Sequence, residues 1–221
     1  MTVSSTYLLR LRLPDQPGVL GRVASALGSA GADIDSIVVV DRAPGYAVDD
    51  LVVSLPPGAL ADRLVSAASS VRGVVVEVVQ RHHGRQRMAD ELELLDDAAS
   101  SEHPVRSLAN GLPDLMHASY ALVVDRTNPG TAAVVVAASM SAPAQRCRAD
   151  WLPLDAPRRV DAEEVWSDPE VAGPDCELAA VPFRGSAALL VGRIGGPAFR
   201  PAELTRLAHL ARVAQALFAG A

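Results

Sequence analysis

The sequence predicts an α+β protein of two domains. Three observations point there. The chain has 221 residues, more than one average domain needs. Strand and helix periods alternate over the first 80 residues. After them come two helices, then two hairpins flanking a loop and a short helix, then a long helix, the layout of helices packed on an antiparallel sheet.

Tyr7, Leu9, Leu11 and Leu13 fall on one face of a first strand, with Leu8, Arg10 and Arg12 on the other. Asp15-Gln16-Pro17-Gly18 breaks it. Val19, Leu20, Val23, Ala24, Leu27 and Ala30 recur at helical spacing, and Gly31 stops that helix. Ile34 to Val40 reads as a second strand and Leu51 to Leu55 as a third, with Ala43-Pro44-Gly45 in the turn before it. Pro56-Pro57-Gly58 opens a second helix with Leu60, Leu64, Ala67, Ala68 and Val71 as its apolar stripe, and Val74 to Val79 is the fourth strand. The order is βαββαβ, a ferredoxin-like split βαβ whose right-handed crossovers demand the spatial strand order 4-1-3-2. Arg10 is expected beside Glu77 as an exposed pair.

Arg81 to Arg87 is a polar break, so the domains are taken as 1–80 and 91–221 with a linker at 81–90. Met88 to Ser101 and Val105 to Leu115 read as helices, the second weakened by Gly111-Leu112-Pro113. Tyr120 to Asp125 and Ala132 to Ala138 form a hairpin about Asn128-Pro129-Gly130. A loop from Ser141 to Asp155 holds Trp151, and Asp161 caps a short helix to Trp166. Cys176 to Phe183 and Ala187 to Arg193 form a second hairpin. Pro201 to Phe218 is a helix with Leu204, Leu207, Leu210, Ala211, Ala214 and Leu217 on its buried side.

All 20 positive charges are arginine, against 26 acids, for a net charge of −6. Without lysine no Schiff base, pyridoxal anchor or P-loop phosphate lysine is available. The acidic balance argues against nucleic acid as a partner. No signal peptide and no run of 18 apolar residues suggests a membrane, so a cytoplasmic protein is expected. The composition looks like the high-GC coding bias of an actinobacterial-type sequence. No cofactor or metal is expected: His82-His83 has no acid or cysteine nearby to complete a site. The side-by-side acids Asp49-Asp50, Asp96-Asp97 and Glu163-Glu164 read as solvated, and Arg158-Arg159 as part of a connector. Cys147, between Arg146 and Arg148, reads as a loop thiol with neighbours that would lower its pKa. Cys176 reads as buried packing, and Trp151 and Trp166 as core or pocket lining.

Two segments carry the candidate site and are expected at one end of the sheet. In the first, Asp15 or Gln16 caps the first helix, Pro17 suits its first turn, and Gly18 lets a ligand approach the backbone. The N–H groups of Gly18, Val19 and Leu20 then offer a carboxylate site. In the second, Gly31-Ala32-Asp33-Ile34, Asp33 supplies the charge to receive an ammonium group. One anion site and one cation site suit an α-amino acid.

These residues resemble an ACT domain: Asp15, Pro17, Gly18 and Leu20 match its D-x-P-G-x-L turn, and Gly31, Asp33 and Ile34 its strand start. The resemblance covers residues 5 to 80. It implies a regulatory module that binds an amino acid at an interface between paired domains, through the turn backbone and the Asp beginning strand two. The later half is similar to a GAF domain in Pro182, Phe183, Phe199, Pro201, Glu203 and Leu204, which implies a module that binds a small molecule or, as in some members, nothing. Its cyclic-nucleotide variety is excluded, since that pattern needs a lysine. The expected function is a non-catalytic sensor that binds an amino acid or related metabolite at Asp15, Pro17, Gly18, Val19, Leu20, Asp33 and Ile34. It would signal as a homodimer or through a protein partner. The alternatives are a scaffold without ligand, or an enzyme whose pocket converges on Trp151, Cys147 or Asp125.

Overall fold

The computed structural model describes residues 5–82, 89–126, 133–144, 146–168, 170, 173 and 175–219. His83, the Met88 helix start and the Asn128-Pro129-Gly130 turn lie outside them. The chain divides into two compact units, Met1–Arg87 and Met88–Ala221.

The first unit runs β1 (Ser5–Pro14), α1 (Val19–Ser29), β2 (Asp33–Ala43), β3 (Tyr46–Leu55), α2 (Asp62–Ser69) and β4 (Val75–Arg81). Its sheet is antiparallel in the order β2-β3-β1-β4, the ferredoxin-like arrangement that right-handed crossovers require. Leu9, Leu11, Leu13, Val19, Val23, Leu27, Leu51, Val53 and Leu64 form its core. Leu60, expected on the helical stripe, precedes α2 and is exposed. Pro56-Pro57-Gly58 therefore begins a turn, and the helix starts at Asp62, two residues after the first residue of the expected stripe.

Arg10 does not stand in solvent beside Glu77. It is buried and grips Asp50 of β3 through two bonds of 2.7 Å, from Nε and from Nη2. Register explains the pairing: Arg10 lies directly opposite Asp50, while a bulge after Arg10 shifts β4, and Glu77 lies 3.6 Å from Arg12. Asp49 and Asp50, expected to be solvated, are both buried because β3 begins at Tyr46 and carries them into the centre of the sheet.

The second unit contains α3 (Ala89–Ala99), α4 (Pro104–Met116), β5 (Tyr120–Asp125), β6 (Val134–Ala138), β7 (Arg158–Val160), α5 (Ala162–Val165), β8 (Cys176–Phe183), β9 (Ala187–Ile194) and α6 (Pro201–Phe218). Its antiparallel sheet has the order β6-β5-β9-β8-β7, completing the predicted α+β class. α4 continues through Gly111 and Pro113, and the glycine admits Leu94 of α3, which a Cβ would meet at 2.3 Å. On α6 the buried side carries Phe218, while Leu217 is exposed. The connector expected at Arg158-Arg159 is an edge strand, and Arg158 holds Glu164 through two bonds of 3.1 and 2.8 Å. No described helix is long and apolar enough to cross a membrane.

Candidate functional site

The turn after β1 is made by Gly18, which is the helix N-cap and adopts φ +84°, a conformation that a side chain would strain. Neither Asp15 nor Gln16 caps α1 with its side chain, since Gly18 occupies that position and Pro17 precedes it. The Val19 N–H is not free either: it donates to the Gln16 carbonyl at 3.3 Å. The first intrahelical bond runs from Arg22 N to Gly18 O at 3.1 Å. That leaves the N–H groups of Gly18, Leu20 and Gly21 as the orphan donors of the helix start, with no acidic side chain in the first turn. Arg22 reaches back over the turn, its Nη1 lying 3.7 Å from where a Gly18 Cβ would sit. The start of α1 thus carries unpaired amide donors and a guanidinium, group types suited to a carboxylate. Arg22 was missed in the sequence because its helical position reads as an outer, solvated one.

Asp33 and Ile34 are not part of this spot within one chain. β2 begins with Asp33 opposite Ser54, which is itself opposite Thr6 of β1, whereas the turn follows Pro14, opposite Tyr46. The eight steps from Thr6 to Pro14 separate the two segments by about 27 Å. The expected convergence at one end of the sheet therefore fails: a helix that returns along a right-handed crossover starts and finishes at opposite ends of the strands. Asp33 is exposed, and Ile34 is half-buried against the core.

Asp15 is exposed in the turn, and Asp49 is a buried acid of the neighbouring strand. It lies opposite Leu11, on the helix-facing side of β3 with Ala47 and Leu51. It is 3% exposed, and its Oδ1 has no hydrogen-bond partner. Burial raises its pKa, Arg42 lowers it, and the charges of Asp50 and Asp15 raise it further. β2 forms an open edge of the sheet with Ile37, Val38 and Val39 40%, 41% and 47% exposed.

The residues considered for chemistry in the second unit do not assemble. Cys147 is in the core beside Trp166 and Tyr120, 2% exposed, and not in a surface loop. Asp125 ends β5, at the opposite end from Tyr120, and accepts a 2.6 Å bond from Ser186. Trp166 is fully buried, packing edge-on against Tyr120. Cys176, expected to be buried, is half-buried at the start of β8, 3.5 Å from the Tyr120 hydroxyl. Burial pushes the Cys147 thiol from 9.0 up to about 11, the reverse of the lowering its arginine neighbours suggested. Its folded pKa lies above its unfolded one, so its contribution to stability is full below 9.0 and is lost as pH rises through about 11. Urea denaturation at neutral pH and near pH ~10 is expected to show this alkaline loss, and a smaller loss in Cys147→Ala. An equal loss in both proteins would rule the thiol out as its source.

No curated protein matches the chain. Among solved structures it is similar to a GAF domain from a phosphoenolpyruvate-protein phosphotransferase of Coxiella burnetii, with 14% identity over 61% of this chain and 96% of that one and a TM-score of 0.46. It is also similar to a homoserine dehydrogenase from Thiobacillus denitrificans, at 21% identity over 38% of this chain and a TM-score of 0.31. The match spans only 19% of that enzyme. An ACT domain from the GTP pyrophosphokinase of Chlorobium tepidum aligns at 18% identity over 36% of this chain and 99% of that one, with a TM-score of 0.27. The sequence itself is the more specific guide: residues 7–65, spanning the turn, α1, β2 and β3, match the family model of the ACT domain.

Proposed function

We propose that the protein is a regulatory, non-catalytic sensor in the cytoplasm that binds an α-amino acid at the first unit and acts as a homodimer. The observation that carries this reading is the uncapped start of α1, where unpaired amides and the Arg22 guanidinium accompany a glycine in the left-handed region. A carboxylate is the natural occupant. The ACT match at residues 7–65 supports the regulatory role.

The open edge of β2 supports the dimer. Antiparallel pairing of two copies along this edge, about a two-fold near Val38, covers Ile37, Val38 and Val39 and pairs the unpaired strand edge. The same operation carries Asp33 and Ile34 of a second copy to the Ala43 end of β2, which is the turn end of the sheet. Asp15, Pro17, Gly18, Val19 and Leu20 of one chain would then be closed by Asp33 and Ile34 of the other. Occupancy would be conveyed because the ligand favours the paired arrangement over separate chains.

Calorimetry with the common amino acids is expected to show binding, and Asp33→Ala and Val38→Lys are expected to weaken it. In sedimentation, Val38→Lys is expected to be monomeric. If no amino acid binds at millimolar concentration and Asp33→Ala alters only assembly, the sensor reading is wrong. The exposed β2 edge would then favour a dimerisation scaffold.

A further inference from the structure

We infer that the groove between α3 and α6 is a contact with a second copy of this chain, in which α3 of each copy lies against α6 of the other. The inference rests on the homodimer proposed above and adds a second surface to it. α3 and α6 lie side by side, and the groove between them, of about 400 Å³, has Leu92, Leu95, Ala202, His209 and Val213 in its walls. Leu92 is 70% exposed, Val213 45%, and Leu217, one turn further along α6, 44%. Large apolar side chains gathered on one face gain from being covered.

Charge names the occupant. α3 carries Asp90, Glu91, Glu93, Asp96 and Asp97 and no base. The one acid of α6, Glu203, is buried against Arg193, so the outer side of that helix offers Arg206, His209 and Arg212. Arg206 already holds Glu91 within the chain. Asp96, one turn on from Leu92, and Arg212, one turn on from His209, are exposed at the two rims of the groove. Asp96 and Asp97 also stand in the last turn of α3, where the helix dipole disfavours acids and a base from outside offsets the cost. A partner must therefore bring one basic wall and one acidic wall with apolar residues between them, and this chain has that pair itself.

The charges also select the symmetry. A two-fold axis along the helices sets α3 against α6 of the other copy, acid against base, twice over. An axis across the helices sets α3 against α3, acid against acid. The axis along them keeps the two α3 starts at the same end of the contact, so copies already joined at β2 can meet here. That tether supplies the effective concentration a small second contact needs, and Val38→Lys releases both together.

The test is a pair of charge reversals at exposed positions, Asp96→Arg and Arg212→Glu, in the full chain, with the dimer dissociation constant followed by sedimentation on dilution. Each variant alone sets like charges against each other at both halves of the contact and is expected to raise the constant about tenfold or more. An equimolar mixture of the two is expected to regain wild-type affinity, because every reversed residue then meets its opposite on the other chain. Single variants as tight as the wild type overturn the inference. A mixture no tighter than the single variants also overturns it, since the charges would then act within one chain or toward a different protein. A wild type that stays monomeric overturns the homodimer reading and this inference together. A dimer that withstands Val38→Lys but yields to Asp96→Arg overturns the β2 pairing and leaves this contact standing.

Discussion

Replacing Arg10 with methionine is expected to cost the first unit about 3–5 kcal/mol, enough to unfold a marginal domain. The loss comes from what is left behind. Asp50 lies directly across the sheet and is as deeply buried as Arg10, so removing the guanidinium strands a carboxylate that had accepted two charge-assisted bonds. The double variant Arg10→Met with Asp50→Leu is expected to recover most of the stability, since a buried ion pair and an apolar pair of similar volume differ little. Both tryptophans, Trp151 and Trp166, belong to the second unit. The first unit is therefore followed by circular dichroism in urea while indole fluorescence monitors the second. A cost below about 1 kcal/mol for the single variant would show that the pair is solvated and that burial is not what makes it matter.

Arg193→Met is expected to do comparable damage to the second unit, again about 3–5 kcal/mol. This side chain closes the accounts of several elements. Its Nε donates to the His117 carbonyl at 2.9 Å, and its Nη2 to the Met116 carbonyl and to Glu203, each at 2.8 Å. Its Nη1 donates to the Pro197 carbonyl at 3.0 Å, and the guanidinium lies 4.0 Å over the Phe199 ring. The carbonyls of Met116 and His117 end α4 and have no helical partner of their own. Glu203 meanwhile accepts the Arg200 N–H at the start of α6. Methionine would withdraw all four of these donated bonds from a buried site. Lysine at the same position is expected to restore only part of the loss, because a single ammonium cannot span the directions served by a planar fork. Indole fluorescence in urea checks both variants, and full rescue by lysine would count against the geometric explanation.

Much of the fold is written in periodicity. The alternation of Tyr7, Leu9, Leu11 and Leu13 and the helical recurrence from Val19 are enough to predict βαββαβ, and chirality then dictates the strand order. Charge is what misled. Asp49, Asp50 and Arg10 look like surface residues by composition, yet register pairs Arg10 with Asp50 in the interior, and register is a property of two strands at once. The flanking strands ran longer than their apolar runs for the same reason. In the candidate site the turn was legible because Pro-Gly after a strand has one main use. Its relation to Asp33 was not, because that depends on which end of the sheet a crossover helix returns to. Arg22 was hidden because it is a cation at a helical position that looks merely outward.

Both thiols of the chain, Cys147 and Cys176, lie in the second unit, and the first has none. With Cys147 sealed among Trp166, Leu178 and Leu190, a disulfide reagent reaches it only when that unit opens. Its labelling rate therefore gauges the opening equilibrium of one half of the molecule while remaining blind to the other. An amino acid bound at the first unit can slow that rate only through energetic coupling between the halves. Thiol exchange with and without ligand thus measures, in the unmodified chain, whether occupancy is transmitted or stays local.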